Sequence, residues 1–98
     1  MAANVPGPGG ARSVLNVSTT TVIKASPGTL FKVLLVTPPT AAGGIYDSAT
    51  TSGLGAANLI DTIGTGLAAS YVFDLAWPCA NGIVVNPGTG GVVSVSWT

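Results

Sequence analysis

Residues 29–37 read TLFKVLLVT, the longest run of strand-forming residues in the chain, with no glycine or proline to break it. By the two-residue period of a strand, Phe31, Val33 and Leu35 share one face and Leu30, Lys32, Leu34 and Val36 share the other. Only Lys32 interrupts the apolar character of the second face. A half-solvated strand alternates apolar with polar, so this pattern predicts a central strand covered on both faces. In a domain this small, another subunit is the natural source of the second cover.

Working outward, short β-rich stretches recur between glycine and proline turns. Val14–Val17 reads as an edge strand and Thr19–Ala25 as a second strand, followed by a turn at Ser26-Pro27-Gly28. Beyond Pro38-Pro39, Gly43-Gly44 opens a strand over Ile45–Ala49. Leu59–Ile63 follows, with one helical turn over Ala56–Asp61 as the alternative. Tyr71–Leu75 has an aromatic face, and Pro78 ends or bends it. Asn81-Gly82 marks a tight turn before Ile83–Val85, and the segment 86–91 (NPGTGG) turns into Val92–Trp97. The expected fold is all-β: a single antiparallel sandwich, jelly-roll-like, of seven or eight short strands. It would occupy residues 13–98, behind an extended Gly/Pro arm over residues 1–12. Alternation places Phe31, Val33, Leu35, Tyr71, Phe73, Val93, Val95 and Trp97 inside. Treating the segment around Pro39 as a hairpin loop pairs Lys32 with Asp47 and Leu34 with Ile45.

The composition narrows function mainly by exclusion. The 98 residues hold six charged side chains (Arg12, Lys24, Lys32, Asp47, Asp61 and Asp74), with no His or Glu and a net charge of zero. That balance gives no electrostatic reason to expect nucleic acid or an anionic membrane as partner. So little charge suits a protein that lives inside an assembly better than a free monomer. Cys79 stands alone and reads as a small buried residue. The N-terminus has no basic region leading into an apolar stretch, and the apolar runs are too short to span a bilayer. The chain therefore reads as soluble and not exported.

Residues 64–69 (GTGLAA) fit a dinucleotide fingerprint in outline. A strand begins almost at once where the motif needs a helix, so a loop is the better reading. The three aspartates are too widely spaced for a compact calcium loop, and no cofactor or metal is expected. Lys24 and Ser26 could share a strand face, but no third group orients them for catalysis. No enzymatic activity is expected. Trp77, beside Pro78 and outside clear alternation, is the aromatic residue best placed for a contact surface.

Three segments carry a resemblance: residues 21–37 (TVIKASPGTLFKVLLVT), 44–53 (GIYDSATTSG) and 73–97 (FDLAWPCANGIVVNPGTGGVVSVSW). Their Lys-Ala-x-x-Gly-x-Leu segment, Tyr-Asp after glycine and final strand after a Thr-Gly turn resemble small bacteriophage virion β-sandwich proteins. These are of the capsid decoration (cement) type or the head and tail fibre type. The resemblance implies a structural protein that binds and stabilises an assembled shell on the capsid surface, made in the host cytoplasm and commonly homotrimeric. Its partner would be the major capsid protein or another virion protein. The alternative is a receptor- or glycan-binding fibre module. On this reading Val5, Pro6, Pro8 and Arg12 contact the capsid or a neighbour, and Leu34, Val36 and Trp77 pack between subunits.

Overall fold

The computed structural model describes residues 11–98. They form eight strands: β1 (Arg12–Val17), β2 (Thr21–Lys24), β3 (Gly28–Thr37), β4 (Gly43–Tyr46), β5 (Leu59–Ile63), β6 (Val72–Cys79), β7 (Ile83–Asn86) and β8 (Val92–Trp97). Two four-stranded antiparallel sheets result, in the orders β1-β8-β3-β6 and β2-β7-β4-β5. The ladders pair first with last and work inward: β1 with β8, β2 with β7, β3 with β6 and β4 with β5. That is one long hairpin wrapped into a sandwich, the double Greek key of a jelly roll.

The strands bury one face each into a shared core. Leu30, Val33, Leu35, Ile45, Ile63, Ile83, Val85 and Val93 are fully enclosed, with Val95 and Trp97 almost so. TLFKVLLVT lies in β3, central between β8 and β6, as its composition predicts. Its second face is uncovered among the described residues, however, and Leu34 and Val36 are exposed.

Phe31 is not a core residue. A register shift between Leu30 and Lys32 inserts Phe31 as an extra residue against β8. Leu30 therefore turns inward, and Phe31 is left half-buried. A bulge reverses alternation locally, which a strict two-residue count misses. Tyr71 is also outside the core: it precedes β6, stands 45% exposed, and packs edge-on against Phe73 with ring centroids 4.9 Å apart. The other six residues expected inside are buried.

The expected hairpin around Pro39 does not form. β3 and β4 belong to different sheets, so the intervening segment crosses the sandwich. Lys32 lies opposite Asp74 and Ser96, Leu34 opposite Val72 and Ser94, and Ile45 opposite Asp61 and Val85. Strand β6 runs on through Pro78, which an edge strand tolerates because its outer side needs no amide donor. Arg12, read as part of the arm, is the first residue of β1 and pairs with Trp97.

Candidate functional site

The two sheets present unlike surfaces to solvent. On the β1-β8-β3-β6 sheet, register aligns Ser13, Ser96, Lys32 and Asp74 in one row across four strands. The next row places Ser94, Leu34 and Val72 side by side. Leu34, Val36 and Val72 are 36%, 44% and 44% exposed, while Val33, Leu35 and Phe73 between them point into the core. A shallow groove of about 130 Å³ runs along this face, lined by Ser13, Lys32, Leu34, Ser94, Val95 and Ser96. Serines keep β8 low, so the groove floor is small side chains and its walls are Leu34 and Lys32.

Edges of a sandwich are the other route to association, because unpaired strands recruit new ones. Here they carry obstacles. Strand β6 has an extra residue against β3 and holds Ala76 at φ +46°, a left-handed conformation that alanine adopts at a cost of about 1 kcal/mol. Pro78, two residues on, removes an amide donor from the same strand. Strand β1 shifts register between Val14 and Val17, with Asn16 at φ +57°. On β5 the Thr62 amide donates to the neighbouring Asp61 Oδ1 at 2.8 Å, which satisfies that donor without another strand.

Asp47 follows β4 and works inside the chain. Its Oδ2 accepts from the Ala80 amide at 2.9 Å, and its Oδ1 accepts from Asn81 at 2.8 Å and Gly82 at 3.3 Å. Three successive amides thus converge on one carboxylate and hold the turn between β6 and β7. Burial acts to raise its pKa, but the backbone hydrogen bonds from Ala80, Asn81 and Gly82 outweigh it and hold the carboxyl below its usual range. Gly82 has to be glycine there, since a Cβ would stand 2.5 Å from the Lys24 carbonyl oxygen and 2.6 Å from that of Ser48. Lys24 Nζ donates to the Thr98 carbonyl at 2.9 Å, which ties β2 to the residue after β8.

Cys79 is buried, and its thiol pKa is pushed up to about 11, first by burial and then by the charge of Asp47, against a hydrogen bond with the Leu30 backbone. A thiol in that state is a packing residue. Of the residues weighed as a Ser-Lys pair, Lys24 donates to the Thr98 carbonyl and Ser26 lies between β2 and β3. Residues 64–69 form turns between β5 and β6 with no helix after them, so the dinucleotide outline has no anion-binding helix end. Among the described residues no three His, Cys, Asp or Glu side chains converge as a metal site, and no helix is long and apolar enough to cross a membrane.

Of the contact residues expected from sequence, Leu34 and Val36 share the open face, and Trp77 is 48% exposed near the far end of β6. Arg12 lies exposed in β1; Val5, Pro6 and Pro8 lie outside the described residues. Val72, Asp74 and the serine rows were missed by sequence reasoning, which cannot see β6 beside β3. Neither family models, curated proteins nor solved structures match this chain.

Proposed function

We propose that this chain is a non-enzymatic structural protein of a phage virion, a cement or decoration protein that binds the assembled capsid and stabilises it. The observation that carries this reading is the open sheet face: Leu34, Val36 and Val72 stand exposed on a domain whose whole sequence has six charged side chains. Such an apolar strip is normally covered by a partner. The resemblance of about residues 20–98 to virion β-sandwich proteins supplies the kind of assembly.

The mechanism is linkage. A domain that binds only the assembled shell stabilises it by about 2.7 kcal/mol per site when present at 100 times its dissociation constant. Joining copies multiplies weak shell contacts through effective concentration. Residues 1–12, with Val5, Pro6, Pro8 and Arg12, would add a second contact to the shell.

The test is co-sedimentation with purified shells of the parent particle. The full chain should pellet with shells and raise their disruption temperature, and a chain lacking residues 1–10 should pellet less. A chain that stays in the supernatant at every ratio ends the proposal.

The fibre reading has one observation in its favour, the exposure of Tyr71 and Trp77. Tyr71 precedes β6 and Trp77 lies near its far end, six residues on, or roughly 20 Å along a strand. That separation is too great for a single sugar-stacking platform, so the cement reading is preferred.

A further inference from the structure

We infer that a second copy of this chain covers the β3–β6 part of the open face, through a two-fold axis running parallel to the strands between β3 and β6. The inference deepens the reading of that face as a contact surface, and it does not depend on the virion assignment.

The argument starts from register. Lys32 lies opposite Asp74, and two residues along, Leu34 lies opposite Val72. All four side chains are exposed on the same side, because Val33 and Phe73 between them are buried. Cross-strand partners on one face stand about 5 Å apart. A two-fold axis midway between the strands, lying in the plane between two facing copies, exchanges β3 with β6. It sets Lys32 over Asp74 of the second copy and Leu34 over Val72 of the second copy. Charge meets opposite charge and apolar meets apolar under one operation, and each contact occurs twice.

The same row rejects the obvious alternative. An axis along the row, perpendicular to the strands, would set Lys32 on Lys32 and Asp74 on Asp74. A partner with a patch of one sign would leave either Lys32 or Asp74 desolvated without a counter-charge, which is costly. The face is neutral, with its single cation beside its single anion, and such a surface complements itself. The two copies face each other as aligned sheets, which pack about 10 Å apart. Edge-to-edge pairing is opposed by the bulge and Pro78 of β6, the strand beside the proposed axis. The contact is two-fold, and so differs from the trimer that the resemblance implies.

Sedimentation velocity on the full chain at micromolar concentration provides the test. The unmodified protein should run as a dimer. Lys32→Asp and Asp74→Lys should each bring like charges together twice and weaken association about tenfold or more. Mixing the two variants should restore the dimer, because each mixed contact is again a pair of opposite charges. A monomer or a trimer for the unmodified chain overturns the inference. So do folded charge variants that fail to re-associate on mixing. Shell co-sedimentation is read separately, so loss of the dimer and loss of the proposed virion role are distinguishable outcomes.

Discussion

The outer faces of the two sheets solve the same problem differently. On the β2-β7-β4-β5 sheet the chain covers the central strands itself, with Val22 and Leu59 exposed on the edge strands. Val84 sits between the core residues Ile83 and Val85, so alternation points it outward, yet it is fully buried. Tyr46 is its register partner, and a Cβ on Gly44 would stand 2.6–2.8 Å from the Tyr46 ring and hydroxyl. The missing side chain lets the ring lie flat along the sheet. On the β1-β8-β3-β6 sheet no aromatic folds over, and Leu34, Val36 and Val72 remain exposed. A face whose central strands are closed by their own tyrosine offers less to a partner than one floored by serine and rimmed by valine and leucine.

The largest effect should come from opening the closed face. Gly44→Val would drive a branched side chain into the Tyr46 ring and should cost about 3 kcal/mol in urea unfolding. Next, Val84→Ala removes buried methyl groups on the same face and should cost about 2 kcal/mol. Val36→Ala makes the same chemical change on the open face and should cost less than about 0.5 kcal/mol. Equal losses at Val84 and Val36 would erase the distinction between the faces.

Asp47 separates turn stability from face chemistry. Asp47→Asn keeps the size but loses the charge that three amides share, and should cost about 1–2 kcal/mol given its partial contact with solvent. Because folding lowers the Asp47 pKa, its contribution is complete above the ordinary carboxylate pKa of 3.8 and is lost as pH falls through the lower folded value. An acid titration of stability should therefore fall less steeply below pH 4 for Asp47→Asn than for the unmodified chain. The smallest stability effect belongs to Leu34→Ser, within about 0.5 kcal/mol. Its signature should be weaker self-association in sedimentation with an unchanged urea midpoint.

What the sequence revealed tracks the range of the interaction. Alternation in Val92–Trp97 and in Val33–Leu35 is local and reads correctly. The Phe31 bulge is set by β8, more than 60 residues away in the chain, and leaves no local mark. Lys32 and Asp47 looked like partners because a Gly/Pro-rich segment separates them, but a turn signal does not say whether the chain stays in one sheet or crosses to the other. The role of Asp47 did leave a clue. Asn81-Gly82 foretold a tight turn whose amides need acceptors, and a carboxylate is a natural source of them. The open face was half legible: Leu34 and Val36 stand out in β3, whereas Val72 and Asp74 join them only through long-range pairing.

The wrapped pairing also sets an order of events during synthesis. Strand β8 leaves the ribosome after every strand it must join, yet it occupies the interior of its sheet between β1 and β3. Until it arrives, β1 has no neighbour in that sheet, and β3 has only β6. The other sheet lacks nothing once β7 has emerged, so the domain should assemble from its self-covered half toward its open half. Contacts between such distant parts of a chain put folding in the range of about milliseconds to seconds. The sheet proposed to meet a second copy is thus the last to be completed, although its β3–β6 pair can form before β8 arrives.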